Sequence, residues 1–208
     1  MSRLASSISP IIRKYHEDDE EGWVRCRVLA FLDSAYYDNV YREKETYSSK
    51  SIELVAEIDG AVIGLLDVEC EDEPQTVCSK SSDLESTHLA GMIWHIAVHP
   101  DFRRKGIAHM LLERAIEESL RLGLSRLEAW TRDDGLAEKW YLSQGFNEIE
   151  SYYHVYIDGK EMKSEVINSK IPELKPISVF AHYLGDDNLF LNKFNRVYKC
   201  IRFDLAIE

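Results

Sequence analysis

Val98-His-Pro-Asp-Phe-Arg103-Arg-Lys-Gly-Ile-Ala108 is the stretch on which the reading of this chain turns. Before it, Met92 to Val98 is an apolar run stopped by His99-Pro100, which predicts a buried strand. After it, Ile107 to Leu122 places Ala108, Leu111, Leu112, Ala115, Ile116 and Leu120 at helical spacing, and Gly123 is set to end the helix. A strand, a tight turn and a helix start therefore follow one another. The first amides of a helix lack internal acceptors and lie at its partly positive end, so they suit phosphate. Gly106 lets backbone approach an anion, Ala108 keeps the next turn small, and Arg103, Arg104 and Lys105 add positive charge. The chain has no G-x-x-x-x-G-K-[ST] loop and no G-x-G-x-x-G after a strand, which argues against a nucleoside triphosphatase or a dinucleotide fold.

Working outward, Ile11 to Tyr15 reads as a strand, and acidic Glu17 to Glu21 as a helix entry. Trp23, Cys26, Arg27, Ala30, Phe31 and Ala35 recur at helical spacing behind it. Glu53 to Ile58 and Val62 to Val68 form a hairpin about Asp59-Gly60. In its second strand Leu66, Val68 and Cys70 face one way, and Asp67, Glu69 and Glu71 the other. The acidic set is expected to be the solvated face of a half-exposed strand, with Asp67 and Glu69 as alternative contacts for a cationic substrate. Polar, Ser-rich Glu71 to Leu89 reads as a mobile loop. Leu127 to Arg132 is a strand, Leu136 to Leu142 a helix closed by Gly145, and Asn147 to Ile157 a long Tyr-rich strand. Asp158-Gly159 marks a turn, and Val197 to Ile207 a last strand. The fold class is α/β (α+β), helices flanking a central mixed sheet.

The 208 residues suit one domain with a modest extension, and 45% hydrophobic with 30% charged residues is a globular balance. Net charge −12 makes the chain a poor general binder of nucleic acid and leans toward a cationic partner. Cys26, Cys70, Cys78 and Cys200 are scattered, with no metal-ligand spacing, and read as reduced thiols in a cytoplasmic protein with no metal. Met1 to Pro10 lacks the apolar core of a leader, and the longest apolar stretch is broken by Glu57 and Asp59, so no membrane partner is expected.

Arg103-x-x-Gly106-x-Ala108 resembles the R/Q-x-x-G-x-G/A acetyl-CoA signature of the GNAT superfamily of N-acetyltransferases. Leu136-Ala-Glu-Lys-Trp-Tyr141-Leu-Ser-Gln-Gly145-Phe146 is similar to the family's A-x-x-x-Y-x-x-x-G-F segment. The resemblance spans Ile11 to Ile157 in element order and is sharpest from Trp94 to Phe146. It implies a mostly antiparallel GNAT-like sheet, with residues 1–157 as the acetyltransferase core. Residues 158–208 then form an extension, comprising an insertion and a final strand that completes the sheet. It further implies acetyl-CoA as co-substrate and transfer of its acetyl group to a primary amine, small-molecule or peptide, by direct attack in a ternary complex. Ile96, Ala97 and Val98 would border the pantetheine arm, and the Arg103, Arg104, Lys105, Gly106, Ile107 and Ala108 turn would hold the diphosphate. Tyr141 falls on the general-acid position, where a phenol can protonate a thiolate. Asp134 stands where many members carry Asn, which puts an Asn contact to the cofactor in doubt. Dimers are common in the resembled family, leaving a homodimer open.

The general base is not marked. Met92, Trp94, Ile96 and Val98 share one face by period two and His95 the other, so His95 reads as a satisfied core or surface histidine rather than a base. Glu128 is a rival candidate, and a water chain to a surface carboxylate a third. Glu161 to Arg196 could cover the substrate groove, a dimer partner, or simply the sheet edge. A non-catalytic acyl-CoA-binding or regulatory module on the same fold is the alternative to an enzyme.

Overall fold

Asp59 and Gly60 turn the chain through left-handed backbone, φ 51° and 79°, and set the first hairpin of the sheet. It joins β2 (Ser51–Ile58) to β3 (Ala61–Cys70). The computed structural model describes residues 9–80, 88–133, 135–162 and 169–208. The leader reading at Met1 to Pro10 and the departure at Asp134 thus fall largely or wholly outside the described residues.

The other strands are β1 (Ile11–Lys14), β4 (Ala90–Val98), β5 (Arg126–Arg132), β6 (Asn147–Asp158), β7 (Ser178–Tyr183) and β8 (Arg196–Ala206). The helices are α1 (Glu20–Leu32), α2 (Ile107–Arg121), α3 (Gly135–Ser143) and the short α4 (Asn188–Leu191). The sheet runs β1-β2-β3-β4-β5-β8-β6-β7. Only β4 and β5 pair in parallel; the other neighbours are antiparallel. The final strand enters between β5 and β6 rather than at an edge.

One face of the sheet carries the main apolar core. Ile107, Leu111, Leu112 and Ala115 of α2 bury against Leu54, Leu66, Ile93, Leu127 and Phe203. Burying each Leu or Ile contributes about 1.5–3 kcal/mol, so this stripe fixes α2, and with it the turn that precedes it. On the other face, Trp23, Cys26 and Ala30 of α1 pack on Val55, Leu65 and Ala97. The helix ends at Leu32, so Ala35 lies past it rather than on its stripe.

The acidic face of β3 corrects the sequence expectation of a solvated surface. Asp67, Glu69 and Glu71 are buried, because chain from both sides folds over them and donates hydrogen bonds. Glu69 accepts from Ser48 N, Ser48 Oγ and Ser49 N. Glu71 accepts from Val77 N, Cys78 N and Ala90 N. Asp67 accepts from Tyr47 at 3.0 Å and pairs with Lys44 at 3.1 Å. The loop after β3 is therefore pinned as far as Lys80, not mobile there; residues 81–87 lie outside the described ones.

The alternation of β4 is also corrected. Asp67 pairs with His95 and Val68 with Ile93, which leaves Trp94 as a bulge. The extra residue shifts the pleat. Ile93, Ile96 and Val98 face α2, whereas Met92, His95 and Ala97 face the opposite side.

Candidate active site

β4 and β5 are hydrogen-bonded only from Ala90↔Arg126 to Ile93↔Ala129. Beyond that the two strands part. From His95 to Val98, β4 keeps its partner β3 on one edge and, among the described residues, has no strand on the other. Antiparallel pairing turns alternate residues to β3; with His99 N bonded to Ile63 O, Ala97 faces β3, while Ile96 and Val98 turn their backbone groups to a wedge-shaped opening.

The opening leads to the turn. Arg104 and Gly106 are left-handed, φ 60° and 79°, and Gly106 caps α2. The first closing bond of the helix runs from Met110 N to Gly106 O at 3.0 Å, so the amides before it have no acceptor within the helix. A Cβ at Gly106 would meet nothing within 4 Å, so the space in front of the turn is open. The basic residues differ in use. Arg103 donates to Ala30 O at 2.7 Å and to Val98 O at 3.4 Å, tying the turn to the end of α1. Lys105 reaches Asp101 O at 3.3 Å and lies over the Phe102 ring.

Tyr141 of α3 is buried, stacked on Phe203 and edge-on to Trp140 and Phe146. Burial, then the neighbouring Tyr36, pushes its pKa up, so the phenol keeps its proton across the working range. Tyr36, whose hydroxyl accepts from Arg132 N at 2.8 Å, comes from the irregular segment after α1. That segment has no periodicity, so no sequence pattern points to its part here.

Glu128, a candidate base by sequence, is fully buried. It accepts from Ser79 N, Ser79 Oγ, Arg126 and Trp130 Nε1 at 2.8–3.0 Å, with Arg202 at 3.3 Å. Both oxygens are occupied, a geometry that holds neighbours in place rather than one that takes a proton from a ligand. His95 is likewise engaged, between Arg27 and Glu45. Asp67 lies behind Lys44, whereas Glu69 reaches the opening through Trp94 Nε1 at 2.9 Å. Trp130 and Arg132 share a strand face with Glu128 by period two, a signal present in the sequence.

This strand–opening–turn–helix arrangement matches the acetyltransferase (GNAT) domain family over residues 49–148. The chain belongs to the GNAT superfamily. An uncharacterized N-acetyltransferase of Archaeoglobus fulgidus is 28% identical over 148 residues, 67% of this chain and 95% of that protein. The [ribosomal protein bS18]-alanine N-acetyltransferase of Escherichia coli strain K12 is 38% identical over 72 residues, 33% of this chain and 49% of its own length. The fold is that of the paia N-acetyltransferase of Thermoplasma acidophilum in complex with coenzyme A. There the TM-score is 0.51 at 16% identity, covering 68% of this chain and 92% of that one. The mixed, mostly antiparallel sheet expected for a GNAT protein is thus present. Among the described residues no helix is long and apolar enough to cross a membrane.

Proposed function

We propose that this GNAT protein is an acetyl-CoA-dependent N-acetyltransferase acting on a primary amine, by direct attack with both substrates bound. The unpaired edge of β4 beside the opening carries the reading. Ile96 and Val98, with Ala97 between them, would offer backbone hydrogen bonds to the pantetheine arm. The amides of Arg104, Lys105, Gly106, Ile107 and Ala108 would hold the diphosphate, and the clear space at Gly106 fits that group. Arg103 would act through the turn, by fastening it to Ala30.

Bound acetyl-CoA supplies the acetyl group as a thioester. Tyr141 keeps its proton and would donate a hydrogen bond to the departing sulfur, which, with an ordinary thiol pKa near 8.5 below that of the raised phenol, leaves as a hydrogen-bonded thiolate. The four cysteines are buried and free, and burial pushes each thiol up, which supports direct attack over an acetyl-enzyme. Glu128 would position Trp130 and Ser79, and the amine would lose its proton to water at the opening. Glu69 would draw the ammonium to the Trp94 side. The Escherichia coli relative's action on a ribosomal-protein alanine supports an amine acceptor, small-molecule or peptide.

The test is calorimetric titration of coenzyme A into the wild type and Gly106→Glu, with thiol release measured over an amine panel. Binding by the wild type, its loss in the variant, and amine-dependent thiol release are expected. Unchanged affinity in Gly106→Glu would remove the diphosphate from this turn.

A further inference from the structure

The sheet face opposite α2 carries a run of rings that begins where β4 and β5 part. Trp130 lies 5.2 Å from Tyr152, Tyr152 lies 4.7 Å from His182, and His182 lies 4.9 Å from His154. Phe180 closes the run at 4.9 Å from His154 and is half exposed. The side chains come from β5, β6 and β7, so the ledge crosses the sheet. Trp94, also half exposed, stands at its start.

The charge along this ledge is uneven. At its start Glu69 takes the Trp94 indole N–H, and among the described residues no cation pairs with it. Along its border Arg132 and Arg196 share one carboxylate, Asp38, at 4.0 and 2.8 Å. Arg132 donates to His154 Nδ1 at 3.1 Å. Burial first, and Arg132 second, hold His154 at a pKa of about 4, so the ring is neutral near pH 7. One ammonium is favoured beside Glu69, and a second positive charge meets the surplus guanidinium.

Resting on the acetyltransferase reading, we propose that the ring ledge is the acceptor subsite and takes a monoamine on an aromatic or long apolar body. The amine sits at the Trp94 end and the body lies over Tyr152 and Phe180. The overall charge of −12 points toward polycations; the Arg132 and Arg196 guanidiniums sharing Asp38 along the border of the ledge point away from them.

The experiment compares kcat/KM for 2-phenylethylamine, n-butylamine and spermidine at saturating acetyl-CoA, in the wild type and Phe180→Ala. Phe180 lies on an edge strand and is half exposed, so the variant should fold, which near-UV circular dichroism checks. Phenylethylamine is expected to exceed butylamine by about tenfold, since its ring adds ring-pair contact and buried area, and spermidine to be poorest. Phe180→Ala should remove most of that advantage, lowering kcat/KM for phenylethylamine far more than for butylamine. Equal use of the two monoamines, preference for spermidine, or equal losses on both monoamines in the variant would overturn the ledge while leaving the acetyltransferase standing. No thiol release with any amine would overturn both.

Discussion

Arg103 Nη2 donates to the carbonyl of Ala30 at 2.7 Å, joining the turn before α2 to the last turn of α1. A residue that the motif places on phosphate therefore also serves to hold the two helices in register. A helix's last carbonyls have no internal donor, so Arg103 satisfies one of them with charge. Arg103→Ala is expected to lower stability by about 1.5–3 kcal/mol, the range for a hydrogen bond to a charged group. Urea unfolding measures this. Coenzyme A affinity should fall less than in Gly106→Glu, since the amides of the turn remain.

Tyr141 sits in a ring cluster with its proton secured by burial. Tyr141→Phe keeps the stacking on Phe203 and removes only the hydroxyl. If the phenol's hydrogen bond stabilises the leaving sulfur, kcat should fall by about 10²-fold, the lower end of the general acid–base range. The coenzyme A dissociation constant should stay within about twofold. Stopped turnover assays with calorimetry of the same preparations separate the two; an unchanged kcat would take Tyr141 out of the chemistry.

How far the sequence could be read follows the range of the interactions. The turn, α2 and the Asp59-Gly60 hairpin were legible because each is decided within a few residues by periodicity and backbone preference. The insertion of β8 between β5 and β6 was not, because strand order is a long-range choice that local pattern leaves open. Period two failed on β4 because a bulge at Trp94 adds a residue without changing composition. The acidic run Asp67, Glu69 and Glu71 looked solvated because the donors that bury it come from Tyr47, Ser48 and Val77, outside the strand. Tyr36 and Asp38 were invisible, since an irregular segment gives no face to read.

Glu128 lies at the centre of a buried ion network with Arg126, Arg202 and Asp204. Removing one partner from such a network leaves charges unpaired in the interior, which costs about 3–5 kcal/mol. Glu128→Ala is expected to lose stability in that range, and Glu128→Gln less, because the amide oxygen can still accept from Trp130 or Ser79. Urea midpoints for the two variants check this. A stable Glu128→Gln with a collapsed pH–rate profile would instead make Glu128 the base.

His154 gives a pH dependence with a definite sign. Its folded pKa is about 4, against 6.5 for the free side chain, lowered first by burial and then by Arg132. Between those values the unfolded chain binds a proton that the folded chain refuses, so stability falls as pH drops from about 6.5 to about 4. Above pH 6.5 this contribution is complete and flat. With about 1.36 kcal/mol per pKa unit, the full drop is at most roughly 3 kcal/mol. His154→Gln is expected to flatten that part of the curve, measured as urea stability at pH 4.5, 5.5 and 7.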